Sequence, residues 1–296
     1  MNSRVALIRG EDRYENVRRA LQELSERIDV NGKKQVLIKP NFVSVHRPLS
    51  ATHVDAVRAV LDMLQERSVK DVVLAGNPAV GTFRQGLENY GFTKLVDQYA
   101  LRVVDLKEDE SIDVEGYDRN LRPKRLQIAR TMVESDYRIS VGPPKTHDLV
   151  IATLSLKNMA VGSLRTKSAC HAGYPGTNLN LYKLAPYVAP HLAVIDGYQG
   201  MEGNGPVSGD PVEWRTVMAS TDFVAADALA AELMGLDPTE IGYIHYCGNQ
   251  GLGCHRIEEL EMVGNITLEE ARQPFRPHPD TAKQGRWRIR HVERYL

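Results

Sequence analysis

Three short polar strings each follow an apolar run: Lys39-Pro40-Asn41-Phe42, Pro143-Pro144-Lys145-Thr146-His147 and Ser155-Leu156-Lys157-Asn158. In an open α/β sheet, ligands bind beyond the carboxyl ends of strands, so such positions are the first candidates for chemistry. The inventory suits an anion. Lysine supplies positive charge, asparagine donates or accepts, and histidine can exchange a proton near neutral pH. His147, Lys145 and Lys157 are the candidate catalytic groups, and Lys39, Asn41 and Asn158 the candidate substrate-binding ones. Each string also has a plainer explanation, a strand-terminal lysine beside a turn. The second weighs more, because two prolines stiffen the exit that delivers Lys145 and His147 together.

A fourth segment is Asp196-Gly197-Tyr198-Gln199-Gly200-Met201-Glu202-Gly203-Asn204-Gly205-Pro206. Its glycine content points to specified backbone conformation or close backbone approach, which makes Gly203 and Gly205 further substrate-binding candidates. The glycine order is wrong for a dinucleotide fingerprint. Asp196 and Glu202 could hold a divalent ion or act as acid and base, or could simply cap helices. With His147 and His171 they form a candidate metal set of the two-histidine, one-carboxylate kind. Gly76 to Thr82 has phosphate-loop spacing but a threonine in place of the lysine, so it reads as a tight turn. His245, Cys247, Cys254 and His255 match no usual zinc spacing.

Apolar runs with β-branched residues alternate with amphipathic stretches, the pattern of an α/β protein with a mainly parallel sheet flanked by helices. Strands are expected at residues 4–8, 35–39, 71–75, 102–106, 124–128, 136–141, 192–195, 216–220 and 259–263. Helices are expected over residues 14–27, 52–67, 153–161 and 223–234. The acidic stretch 106–123 reads as a surface excursion, with a hairpin through residues 112–114, and could divide two lobes. Residues 165–181, rich in Gly, Ser, Thr and Asn, read as a mobile loop or lid. Residues 1–266 would form the main domain. Residues 267–296 would form a polar, basic extension that wraps the surface or meets a second subunit.

The 296 residues carry a formal net charge of −1, which disfavours nucleic acid as a partner. No apolar run is long enough to span a bilayer. Three unclustered cysteines fit a reducing compartment, expected to be the cytoplasm, and disfavour an iron–sulfur cluster held within the chain.

Five motifs in order resemble the DUF362 family: KPNF from Lys39, PKTH from Pro144, TLSLKNMAVG from Thr153, IDGYQGMEGNGPVSG from Ile195 and STDFVAADALAAELMGLDP from Ser220. The family has no assigned general activity. Many relatives carry an appended ferredoxin-like module, so the resemblance implies that any redox role here would need a separate partner protein. More distantly, the strand-end loops are similar to those of lactate racemase-like proteins, which handle hydroxy acids with a nickel cofactor. The expected function is an acid–base enzyme acting on a small carboxylate or phosphate, with metal assistance conceivable. The alternative is a non-catalytic module that binds a metal, cofactor or anion for a partner protein. A homodimer is expected only at the base rate for such proteins.

Overall fold

Successive residues of a strand face opposite sides of a sheet. In β1 (Arg4–Arg9), Val5 and Leu7 enter one apolar core while Ala6 and Ile8 enter another. The computed structural model, which describes residues 3–296, repeats this division across a ten-stranded sheet. Its strands are β1, β2 (Val36–Pro40), β3 (Val72–Gly76), β4 (Arg102–Asp105), β7 (Tyr137–Gly142), β8 (Lys145–His147), β9 (Ile151–Thr153), β10 (Leu192–Glu202), β11 (Asp210–Ser220) and β12 (Glu261–Gly264). A separate hairpin joins β5 (Ser111–Tyr117) to β6 (Pro123–Ala129).

The strand order is β12-β1-β11-β10-β7-β2-β3-β4. From β10 to β4 all neighbours are parallel, whereas β11 runs against both of its neighbours. Helices α1 (Arg13–Glu23), α2 (Val54–Glu66), α3 (Phe83–Asn89) and α4 (Thr93–Gln98) pack on one face. A short α5 (Arg130–Glu134) precedes the second layer, formed by α6 (Ser155–Gly162), α7 (Gly173–Val188), α8 (Phe223–Leu233) and α9 (Gly242–Asn249) on the other face. The expected α/β fold, a mainly parallel sheet between helices, is the one observed.

Several local expectations fail for physical reasons. The expected lid at 165–181 is a helical turn at Lys167–Ala169 followed by the sixteen residues of α7. Pro175 sits in the first turn of α7, where no amide donor is needed. Asn178 and Asn180 are buried: Asn178 accepts the Tyr243 amide at 2.9 Å, and Asn180 accepts the Tyr117 amide at 2.7 Å. Tertiary bonds thus hold a helix that composition alone argues against. The glycine-rich segment is mostly strand, since β10 and β11 run eleven residues each and leave only residues 203–209 as the turn. Lys145 to His147, read as loop, form β8, which pairs with β9.

Val114, Leu126 and Ile128 of the β5–β6 hairpin enter the same core as α6 to α8. The C-terminal stretch docks on the chain itself. Trp287 is buried against Tyr246 and Leu179 and donates from Nε1 to the Glu240 carbonyl at 2.6 Å. Among the described residues no helix is long and apolar enough to cross a membrane.

Candidate functional site

The carboxyl edge of β2 delivers Lys39, and α6, lying across that edge, delivers Lys157 and Asn158. Asn158 ties the two elements together. Its Oδ1 accepts from Lys39 Nζ and from Asn41 Nδ2, both at 3.0 Å. Its Nδ2 donates to the Lys39 carbonyl at 3.2 Å and to Ser140 Oγ at 3.0 Å. Asn41 also receives a bond from Lys145 Nζ, which donates in addition to the Ser50 carbonyl at 2.9 Å. The Asn158 amide is therefore fully engaged inside the protein, and Asn41's makes one donor and one acceptor bond. They orient lysines, and both also line the cavity described next. Lys145 is wholly buried behind Asn41 and does not line the cavity described next, which corrects its expected catalytic place.

Lys39, Lys157 and Lys167 line one cavity of about 250 Å³, together with His147, His171 and Pro206. Among the described residues no carboxylate forms an ion pair with any of the three lysines. Lys39 is satisfied by Asn158 and by the Pro40 carbonyl at 3.2 Å, and Lys167 donates to the Asn77 carbonyl. Lys157 is 7% exposed, and its ammonium has no hydrogen-bond partner among the described residues. Burial lowers the lysine pKa values, because a desolvated ammonium is disfavoured. Lys39 falls to about 7, helped by the charge of Lys157. Lys167 falls to about 7, helped by Lys39 and Lys157. Lys157 falls to about 8, although Asp148 opposes the shift.

His147 Nδ1 lies 2.9 Å from Asp148 Oδ1 and 3.0 Å from the Leu149 amide. These neighbours demand opposite tautomers. The Leu149 amide donates to Nδ1, and the contact with His147 holds Asp148 down at about 2. Burial and the charge of Lys157 push His147 down to about 3. The ring is therefore neutral at physiological pH. Cys170 is buried nearby and pushed up to about 12, which makes it inert as a nucleophile.

The expected metal set is not brought together. Asp196 is buried against Arg13 Nε at 3.1 Å and lines a different cavity. Glu202 accepts the Arg276 amide at 2.8 Å, with the Arg276 side chain at 3.4 Å. His147 and His171 alone face the lysine cavity. Among the described residues no group of three or more His, Cys, Asp or Glu is arranged to hold a metal ion. Gly203 and Gly205 are closely packed: a Cβ at Gly205 would sit 2.1 Å from the Thr146 carbonyl oxygen, while Thr146 Oγ1 donates to the Gly203 carbonyl at 2.9 Å.

Sequence reasoning missed Lys167, Asn77 and Asp148. Lys167 was hidden in the supposed lid. Asp148 was legible as the neighbour of His147. Asp227, within the fifth motif, has a role its sequence did not show: on α8, its carboxylate accepts the Ser155 amide at 2.8 Å, Ser155 Oγ at 2.5 Å and the Leu156 amide at 3.0 Å. It caps α6 from another helix.

Fold and site together define an α/β protein with a lysine-lined cavity at the carboxyl edge of its sheet. The chain belongs to the family described as "Domain of unknown function (DUF362)", whose model matches residues 36–232. It is 28% identical over 215 residues to the thylakoid-associated protein sll1697 of Synechocystis sp.. That match takes in 70% of this chain and 65% of the relative, so the chain spans just under two thirds of the relative's length. A protein of Thermotoga maritima with a solved crystal structure superposes with a TM-score of 0.50 at 13% identity, covering 74% of this chain and 58% of that one. The lactate racemase apoprotein of Thermoanaerobacterium thermosaccharolyticum gives a TM-score of 0.45 at 14% identity, over 74% and 54% of the two chains.

Proposed function

We propose that the protein binds a small carboxylate or phosphate between Lys39, Lys157 and Lys167, and acts on it by proton transfer. One observation carries this reading: two buried lysines, Lys39 and Lys157, and the part-buried Lys167 surround one cavity, and among the described residues no carboxylate is ion-paired with any of them. Isolated buried charge is costly, and an anionic ligand is the partner that would remove the cost. Lys157 is the proton-transfer group, since an amine near 8 is populated in both forms at neutral pH. His147 assists as a neutral hydrogen-bonding group on the cavity wall. Asp196 and Glu202 have no part, because arginines engage both.

A second reading, a non-catalytic anion carrier for a partner protein, is favoured by one feature: His147 at about 3 is a weak base. Location in the cytoplasm belongs to the proposal as well; thylakoid association is a description of the Synechocystis relative.

Calorimetric titration with inorganic phosphate and a panel of small carboxylates tests binding. Lys157→Met should weaken it by about tenfold or more, the worth of one charge-assisted hydrogen bond. Incubation of the bound acids in D2O then tests proton transfer by NMR. Deuterium incorporation abolished by Lys157→Met supports an enzyme. Tight binding with no exchange on any acid would leave the carrier reading, and no binding would sink both.

A further inference from the structure

Thr52, whose hydroxyl accepts the Asn41 amide at 2.7 Å, has its place in the wall of a second cavity of about 470 Å³. The two cavities share no lining residue. The second contains Arg13, Asp196 and Tyr198 beside the apolar side chains of Leu49, Tyr90 and Pro143.

Its charged pair is built with care. Asp196 is 2% exposed and accepts from Arg13 Nε at 3.1 Å and from the Tyr198 amide at 3.2 Å. The guanidinium carbon lies 4.7 Å from the centre of the Tyr198 ring. That ring is itself anchored, since its hydroxyl donates to the Glu11 carbonyl at 2.9 Å. Two contacts thus fix the plane of the guanidinium, the Nε bond to Asp196 and the stack on Tyr198, neither using a hydrogen bond from its two terminal nitrogens. Among the described residues those nitrogens have no hydrogen bond or ion pair. Tyr90 lends the cavity only its ring, because its hydroxyl is engaged by the Ser44 carbonyl at 2.6 Å and the Arg47 amide at 3.0 Å.

A planar fork held rigid at the edge of an apolar cavity is the arrangement that takes a carboxylate through two parallel hydrogen bonds. The geometry points to a second binding site here, for an organic anion with a flat apolar body, gripped by Arg13 and sandwiched by tyrosine and aliphatic walls. Asp196 is a positioning residue in this site. The Arg13–Asp196 pair is neutral overall, so recognition rests on the fork and on apolar contact. Affinity here depends on salt less than affinity for an anion among the unpaired lysines.

Benzoate is the probe, with phenyl phosphate as a second anion and cyclohexylammonium as the cationic control. Binding is followed by calorimetry at low and high salt and by the shift of the Tyr198 amide resonance. Benzoate should saturate the site, and Arg13→Gln should weaken it at least tenfold. Arg13→Lys should fail to restore it, whereas Lys157→Met should leave it unchanged. Arg13→Gln strands a buried carboxylate and could unfold the chain, so the double variant Arg13→Gln, Asp196→Asn is measured alongside. A folded double variant that still binds benzoate as the wild type does overturns the proposal. So does a wild type that does not bind benzoate, binds only the cation, or loses benzoate when Lys157 is replaced.

Discussion

Gly162 closes α6 against Lys39, and a Cβ there would lie 2.1 Å from Lys39 Cε and 2.3 Å from Nζ. The position is helical, so alanine is locally favourable by about 1 kcal/mol. The conflict falls on the flexible end of one lysine. Gly162→Ala should therefore hold or raise the melting temperature while weakening phosphate binding several-fold, as calorimetry of both quantities would show. Unchanged affinity would mean that Lys39 does not touch the ligand. Protonation gives a second residue-level test. Lys39 and Lys157 lie near 7 and 8 in the folded protein, below the unfolded lysine value of about 10.4. Between those limits the unfolded chain binds more protons, so with the cavity empty these groups make stability rise with pH. An anion reverses the preference and recharges them. Binding at pH 8 should take up protons, seen as an apparent enthalpy that varies with the buffer's ionisation enthalpy. An enthalpy independent of buffer would contradict lysine contact.

Helix α6 is buried along its whole length, and Leu154, the residue before it, offers no side-chain cap. Its free amides at the N-terminus are met by Asp227, seventy-two residues beyond Ser155. Asp227→Asn puts an amide donor among donors and should cost about 2–3 kcal/mol in urea unfolding. Because α6 carries Lys157, anion affinity should fall with it; a variant of wild-type stability would argue against the cap. At this scale the sequence was legible where periodicity and position coincided. β2 closing at Lys39-Pro40, β7 running into Pro143 and α6 itself follow from apolar runs and their breakers. The partners did not. Asn158 binding Lys39, and Asn178 and Asn180 holding α7, are contacts between distant segments, and polar residues in such roles look the same in a string as loop residues. Of the candidate site, Lys39, His147, Lys157 and His171 were legible. The engagement of Asp196 and Glu202 with arginines was not, because arginine partners 183 and 74 positions away leave no local signal.

Across the whole molecule, one carboxamide from the C-terminal stretch reaches the lysine cavity's wall. Gln284 Nε2 donates to the His147 carbonyl at 2.8 Å, and its Oε1 accepts the Ile151 amide. Ile151 has a φ of 66°, a left-handed conformation that a β-branched side chain adopts only under constraint. Gln284→Ala would leave a buried amide and carbonyl without partners, at a cost of about 1–3 kcal/mol, and would release the strand pair that holds His147. Urea unfolding measures the first effect, and the His147 ring resonances report the second. The same bond sets an order of events. A contact spanning 137 residues closes after the local helices and hairpins have formed, since long loops are closed late. During refolding, circular dichroism should recover before phosphate affinity does, and Gln284→Ala should remove that delay by leaving the affinity permanently low. The cavity therefore depends on a distant stretch of the polypeptide, and a protease cutting ahead of Gln284 would silence it while sparing most of the sheet.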